Sequence, residues 1–429
     1  MRRTNYPSTI DVKEFLPVRT VRFEGLARQL FQLVVSSHRL NGVGTLHLIE
    51  TWDGHRRVKD IGDGALRADL IVRDPRAYAA MVFGGSKGLG RSYVNGWWDS
   101  NDVTTMVRML FRATDPTRRL LDWVAQRAGF LWLLGHRVRP SKVQDRENIH
   151  AHYDLSNEFF SHMLDESMGY SCAIFADDST SLHEAQVEKF DRICRKLDLG
   201  PDDHVVEIGT GWGGFALHAA GRYGARVTTT TISQNQRRAA EERVRDAGLD
   251  HLITVRGDHY EDLTGSYDAL VSIEMIEAVS WRKYDEFFAK CSSLLNDRGR
   301  MALQAITIAE RSFPRAKRHD DFIRDLIFPG GCLTSVSAIM DSVARVTDLS
   351  AVDLEDIGRH YARTLSLWRT RVREQNAAMT DLGFDERFLR LWDLYLCYCE
   401  GAFLERHISD IQLVLHKPHA PSPLGYSKR

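Results

Sequence analysis

From His204 onward, short apolar runs alternate with longer amphipathic stretches. His204–Ile208 (HVVEI), bounded by Pro201 and Gly209, reads as a buried parallel strand. A glycine turn follows, Gly209-Thr210-Gly211-Trp212-Gly213-Gly214, and then a helical stretch, Phe215–Tyr223, with small residues on one side. The pattern continues with strands over Arg226–Thr231, Ile253–Arg256, Asp268–Ile273 and Arg300–Ile306. Helices are expected over Gln234–Ala247 and Lys283–Leu295, the latter ending near Gly299. Strands alternating with helices predict an α/β fold with a doubly wound, mostly parallel sheet and right-handed crossovers. Residues 307–345, rich in Arg and Phe, interrupt the alternation and read as helices roofing a pocket. Leu391–Phe403 reads as a late helix and Ile411–Leu415 as a last edge strand.

The chain before Asn148 is patterned differently. Leu46–Thr51 and Leu66–Val72 alternate as strands do, and Ala77–Val82 reads as a short helix. Gly88–Ser100 (GLGRSYVNGWWDS) sets two tryptophans beside small residues and suggests a tight surface turn. The Gly85–Gly88 stretch (GSKG) lacks the ending of a phosphate-binding loop. Arg118–Arg139 reads as a basic amphipathic helix followed by an aromatic patch. Its cations, with Trp123, Phe130 and Trp132, suit an anionic membrane surface. A helix packed on the second domain accounts for it equally well. The expected organisation is a small α+β domain over 1–135, associated with lipid or membrane, a polar linker over 136–147 and a larger domain over 148–429.

Composition narrows the classes. With 429 residues and 43% apolar residues, two domains with real cores are expected. A formal net charge of −1 gives no general attraction to nucleic acid. Six cysteines at irregular spacing, with no CxxC pair, indicate neither zinc nor a disulfide framework and fit a reducing cytoplasm. The N-terminal MRRTNYPSTIDVKEF has no apolar core of a signal peptide, and no apolar run approaches bilayer length. The expected location is cytoplasmic, peripheral on the inner membrane face.

Candidate chemistry gathers at the strand ends, where α/β sheets bind ligands. Glu207 stands two residues before Gly209, and the turn is GxGxGG rather than GxGxxG. Both features point to an S-adenosylmethionine (SAM) methyltransferase, in which such an acid commonly holds the methionine amino group. Where many SAM enzymes carry an acid for the ribose, this chain has Thr231, followed by Ser233, Gln234 and Gln236. Neutral hydrogen-bonding groups can do the same work. The Gly257–Glu261 turn is expected at the adenine end. SIEMIEAVS sets Glu274 and Glu277 at the end of a strand. Before the first strand, His150, His152, Tyr153, Asp154, Tyr170, Ser171 and Cys172 form a polar and aromatic set that a simple capping helix explains poorly.

HYDLSNEFF, MLDESMGYSCAIF, VVEIGTGWGG, TTISQNQ, SIEMIEAV, LIFPGGCLTS and IGRHYARTLSLWR occur in that order. Together they resemble the cyclopropane-fatty-acyl-phospholipid synthase family, from about His150 to Leu415. A weaker likeness, through GLGRSYVNGWW, extends to the small domain of phospholipid-acting members. The resemblance implies SAM-dependent attack on a cis double bond of an unsaturated phospholipid acyl chain in a membrane. A carbocation forms, a base removes a proton from the new methyl group, and a cyclopropane closes. The base it implies is a bound bicarbonate. Carried over by position, the bicarbonate cradle is Cys172, Glu277, Gln304, the backbone N–H of Ile306, and Tyr361. Glu277 would orient the anion, while Tyr361 and the Ile306 amide would donate to it. The methionine end of SAM would meet Ser171, Glu207, Gly209 and Gly211. The ribose would meet Thr231 and Gln236, and the adenine side Tyr260 and Glu261, with Tyr170 and Ser233 also expected to bind the cofactor. Cys399 falls where the family has been suspected of an active thiol, a role the chemistry does not need. No metal is implied; a homodimer stays open.

The chain also departs from the best-known bacterial members. These place histidine at Gln304, glycine at Glu274 and histidine at Ala278. Gln304 can hydrogen-bond an anion but cannot take a proton. EMIEAV with Gln304 resembles a subgroup shared by plant-type cyclopropane synthases and actinobacterial enzymes that build 10-methyl acids. In the latter a hydride shift precedes proton loss, giving a methylene branch that a separate reductase saturates. Ring and branch both stay open at this stage. His259 stands where the family usually has Asp, with Asp258 one residue early. The competing reading from another class is a non-catalytic lipid-binding protein on a methyltransferase scaffold, against which Cys172, Glu277 and Tyr361 argue.

Overall fold

In the computed structural model the described residues are 24–35, 40–114, 155–319 and 321–421. The segment Arg118–Arg139, the linker over 136–147, and His150, His152, Tyr153 and Asp154 lie outside them. The described chain falls into two compact units, one reaching Met109 and one taking in the residues from 155 onward.

The first unit holds α1 (Glu24–Val34), β1 (Gly44–Glu50), β2 (Arg57–Ile61), β3 (Leu66–Val72), α2 (Arg76–Val94) and β4 (Trp98–Asp99). Its sheet runs β2-β1-β3-β4, with β1 and β3 parallel. Leu46, Leu48, Ala68, Leu70 and Val72 form its buried face. The expected surface turn over Gly88–Ser100 is corrected here. Helix α2 continues through it to Val94, kinked at Gly85, and Trp98 is fully buried. The Trp98 indole N–H donates to Ser92 Oγ at 2.9 Å. Glycines that read as a turn are helical here because the chain packs closely against itself. A Cβ on Gly88 would lie 1.8 Å from the Ala80 carbonyl oxygen.

The second unit holds a seven-stranded sheet. Its strands are β5 (His204–Ile208), β6 (Arg226–Thr230), β7 (Ile253–Arg256), β8 (Tyr267–Ile273), β9 (Leu295–Ile308), β10 (Ser350–Asp356) and β11 (Ile408–His416). The order is β10-β11-β9-β8-β5-β6-β7; β5 to β9 pair in parallel, while β11 is antiparallel to β9 and β10. The central strands β5 and β8 are mostly apolar and buried because helices cover both faces. Val205, Val206, Ala269, Leu270 and Val271 are all completely buried.

Helix α3 (Asn157–Met163) and α4 (Leu182–Lys196) precede the sheet, and α4 opens on a capping box of Ser181 and Glu184. The crossover helices are α5 (Gly214–Tyr223), α6 (Gln234–Asp246) and α7 (Tyr284–Leu294). Helix α5 buries Ala216, Ala219 and Ala220, the small face visible in the sequence. After β9 come α8 (Phe313–Ala316), α9 (Phe322–Leu326) and α10 (Val336–Val346), the helices expected over 307–345. Helix α11 (Gly358–Glu374) and α12 (Glu386–Leu404) close the unit. One strand position differs from expectation. The last strand, β11, lies between β9 and β10 instead of at the edge. Its edge neighbour is β10 (SAVDLED), mostly exposed, whose polar composition conceals a strand.

Candidate active site

The glycine turn after β5 forms one wall of a pocket. Gly209 (φ +106°), Gly211 (φ +51°) and Gly213 (φ +85°) all take left-handed backbone that favours glycine. At Gly209 space matters too, since a Cβ there would lie 3.3 Å from the Met275 side chain. Tyr170, Ser171, Glu207, Thr231, Gln236 and Tyr260 line the same pocket, as do His259 and Glu274. Glu207 is buried and accepts a hydrogen bond from Thr229 Oγ1 at 2.6 Å. Burial pushes its carboxyl up to about 8. Such a group takes up a ligand cation well, because pairing relieves its desolvation. Thr231 Oγ1 donates to Gln236 Oε1 at 3.1 Å, so the two neutral groups stand together at the end of β6. Two expected contacts sit differently. Ser233 does not line the pocket; its side chain caps α6 by accepting from the Gln236 amide. Glu261 is also off the wall and accepts from Lys283 Nζ at 3.5 Å.

Beyond the end of β8 lies a second cluster. Sheet register assembles it: Gln304 on β9 is level with Ile273 on β8 and Gln412 on β11. Asp410 lies two residues along β11, on the same face as Gln412. Glu274 follows β8 directly and holds φ +47°, a conformation in which a non-glycine residue stores about 1–3 kcal/mol. Its carboxylate is saturated with donors. Oε1 accepts from the Cys172 N–H at 2.7 Å and from Gln304 Nε2 at 2.8 Å, and Oε2 accepts from the Tyr361 hydroxyl at 2.5 Å. Gln304 Nε2 also donates to Asp410 Oδ2 at 3.1 Å, and Gln412 Nε2 donates to Gln304 Oε1 at 3.1 Å.

Glu277 takes the Ile306 N–H on Oε1 at 2.6 Å, and its Oε2 is buried with no partner among the described residues. Burial, reinforced by the charge of Glu274, pushes Glu277 up to about 8. Burial, the charge of Glu274 and a hydrogen bond with it push Asp410 well above the carboxylate range. Burial also pushes the Tyr361 hydroxyl and the Cys172 thiol up, so both stay protonated.

The cradle residues carried over from the sequence are therefore brought together, but with an altered arrangement. The resemblance expects Tyr361 and the Ile306 amide to donate to a bicarbonate; in this structure both meet carboxyl side chains. Tyr361, Gln304 and the Cys172 amide meet Glu274, and the Ile306 amide meets Glu277. Position 274, glycine in the best-known bacterial members by the resemblance, carries here a side chain that takes up these donors. Cys399 lies on α12; burial pushes its thiol up, away from the thiolate form.

Two residues escaped sequence reasoning. Asp410 sits in an apolar strand where only β11 register reveals it. Lys189 reads as an ordinary helix lysine but is fully buried in α4, donating to Ser171 Oγ at 2.6 Å and Gln186 Oε1 at 2.5 Å. Burial pushes Lys189 down to about 8, against the pull of Glu274 and Asp165. The one sequence signal was its position on the apolar side of α4, between Gln186 and Phe190.

Comparison with known proteins decides the family. Residues 140–413 match the family described as mycolic acid cyclopropane synthetase. The chain belongs to this family. Tuberculostearic acid methyltransferase UfaA1 of Mycobacterium tuberculosis is 37% identical over 366 residues, covering 82% of this chain and 84% of that protein. Cyclopropane-fatty-acyl-phospholipid synthase of Escherichia coli (strain K12) is 34% identical, covering 83% of this chain and 89% of that protein. Among solved structures, cyclopropane synthase MmaA2 from Mycobacterium tuberculosis aligns with a TM-score of 0.60 at 28% identity, over 66% of this chain and all of that one. Mycolic acid cyclopropane synthase CmaA1, complexed with SAH and CTAB, aligns with a TM-score of 0.59 at 29% identity, over 65% of this chain and 99% of that one. The protein is a SAM-dependent methyltransferase of the cyclopropane synthetase family with the α/β fold that the sequence predicted. Among the described residues no helix is long and apolar enough to cross a membrane.

Proposed function

We propose that the protein methylates the cis double bond of unsaturated phospholipid acyl chains, using SAM. The observation that carries this reading is the carboxyl cluster at Glu274, adjoining the pocket beneath the glycine turn. SAM supplies an electrophilic methyl group. Glu207 pairs with its ammonium, while Gly209 and Gly211 let the backbone approach the methionine end. Thr231 and Gln236 hold the ribose, and Tyr260 lies on the adenine side. The alkene is a weak nucleophile, so the chain must hold it in line and dry. Aromatic rings pack beside the cluster: buried Trp368 lies 5.2 Å from half-buried Tyr170, and Tyr361 stacks 4.5 Å from Phe403. The substrate cation then loses a proton, for which the reading needs no separate bicarbonate.

Ring closure is the first reading, supported by the family description and by the name of the relative from E. coli. The second is a hydride shift giving a methylene branch, which a separate reductase would saturate. Glu274 beside Gln304 favours it, as does the name of the relative at 37% identity. The small domain and the basic segment over Arg118–Arg139 are proposed to seat the enzyme on anionic membrane, on the cytoplasmic face. The deciding experiment incubates purified enzyme with SAM and oleoyl phospholipid vesicles and reads the product by proton NMR. Upfield ring protons identify the cyclopropane and vinylidene protons the branch; no methylated lipid overturns the function. Neutralising Arg118, Arg119 and Arg127 together should weaken sedimentation with anionic vesicles, and unchanged sedimentation rejects the membrane seat.

A further inference from the structure

We propose that the Glu274 carboxylate stands in for a bound anion and is itself the base that takes the proton ending the reaction. This deepens the function proposed above and rests on it. Three members of the cradle that the resemblance assigns to bicarbonate donate to Glu274 from separate parts of the chain: the Cys172 amide, Gln304 on β9 and Tyr361 on α11. An amide N–H and a glutamine NH2 can only donate, so the group they share is an acceptor. Among the described residues Glu274 is also the one member of this cluster that lines the pocket beneath the glycine turn, so it belongs to both the cluster and the proposed SAM site. Its left-handed backbone is the conformation of a position where glycine is at ease. A glutamate is retained there at a conformational cost, and the hydrogen bonds define what it is held for.

The other two carboxyls of the cluster favour their protonated form. Asp410 and Glu277 are both pushed up, and Asp410 hydrogen-bonds Glu274. The groups facing Glu274 are thus Asp410, Glu277, Tyr361, Tyr395, Cys172, Gln304 and the cation of Lys189.

The step balances as follows. After methyl transfer, one former alkene carbon bears the new methyl and its neighbour is cationic. A C–H bond of that methyl breaks, and its electron pair forms the ring bond to the cationic carbon. The proton goes to a Glu274 oxygen, giving a neutral carboxylic acid that must release it before the next turnover. In the branched outcome a hydride first moves, with its pair, to the cationic carbon. The C–H pair then forms the exocyclic double bond, and the proton reaches the same oxygen. A C–H beside a carbocation is acidic enough for a weak base. The hydrogen bonds lower the carboxylate's tendency to be alkylated, and the Asp410 bond gives way when the proton arrives.

The test is turnover of oleoyl phospholipid vesicles in buffer stripped of carbon dioxide, with and without added sodium bicarbonate. Wild-type turnover should be the same within about twofold in both. Glu274→Gln should lose about 10²- to 10⁴-fold in turnover while binding SAM normally by calorimetry. Glu274→Gly empties the cradle; it should be inactive in stripped buffer and recover with bicarbonate. Wild-type product that requires bicarbonate overturns the inference alone. So does Glu274→Gln that keeps its turnover. No methylated lipid from wild type in either buffer overturns the underlying function as well.

Discussion

The pocket under the glycine turn and the carboxyl cluster beyond β8 share Glu274, yet they are assembled in opposite ways. One wall of the pocket is local: Glu207, Gly209 and Gly211 come from one strand and the turn that leaves it, while Tyr170, Thr231 and Tyr260 close it from other segments. The cluster is non-local. Cys172 meets a residue 102 positions away, Gln304 meets one 106 positions away, and Tyr361 one 87 positions away. Local backbone geometry positions a ligand that many enzymes share. Tertiary register positions the groups that decide what happens to the substrate. Variants in the pocket should therefore act on SAM affinity, and variants in the cluster on turnover.

The sharpest break in that division is expected from Glu277→Gln. Turnover should fall by about 10²-fold with SAM affinity unchanged by calorimetry, because the acid holds the Ile306 amide and so positions the cluster, and does not line the pocket wall. Loss of SAM binding would merge the two regions. Next in size is Gly209→Ala. The added Cβ meets Met275 at 3.3 Å in backbone that resists a side chain, so SAM affinity should drop by about 10–100-fold, or 1–3 kcal/mol. An unchanged dissociation constant would mean that the turn does not contact the cofactor.

A pH series sharpens the comparison at Glu207. Its carboxyl stands at about 8 in the free protein, above the ordinary 4.5, so folding favours the protonated form. That contribution is full below pH 4.5 and is lost as pH rises through 8. A bound cation lowers the same group, so SAM binding should release up to one proton below pH 8 and tighten by at most about tenfold per unit as pH rises toward it. Calorimetry in buffers of different ionisation enthalpy reads the proton, and Glu207→Gln should abolish the release. A release that persists in that variant rules Glu207 out as its source. The smallest effect is expected from Lys189→Met, which keeps the volume but leaves Ser171 Oγ and Gln186 Oε1 without their buried donor. Stability should fall by about 1–2 kcal/mol in denaturant titration, and no change would remove Lys189 from the support of the site.

Much of the second unit was legible beforehand. Strands His204–Ile208 and Ile253–Arg256 lie where their apolar runs predicted, and the remaining crossover elements differ by a residue or a few at their ends. Long-range packing concealed the rest. The stretch Gly88–Val94 is helical because its glycines allow close packing, although in isolation they read as a turn. The strand β10 is polar because it is an edge, so it carries no apolar run, and its presence moves β11 inward. At the site, Glu274 was visible as a departure from the family pattern, but its partners were not.

By itself the amino-acid order determined the α/β class, the cofactor turn and the residue types available for chemistry. Hydrophobic period and glycine placement act over a few residues, and those features need nothing more. Only the tertiary structure decided that Asp410 and Gln412 stand beside Gln304, that Lys189 is buried against Ser171, and that Glu274 meets the donors of the cradle. Strand register and helix packing bring together groups about a hundred or more positions apart, and no local pattern records which carboxylate a distant tyrosine will find.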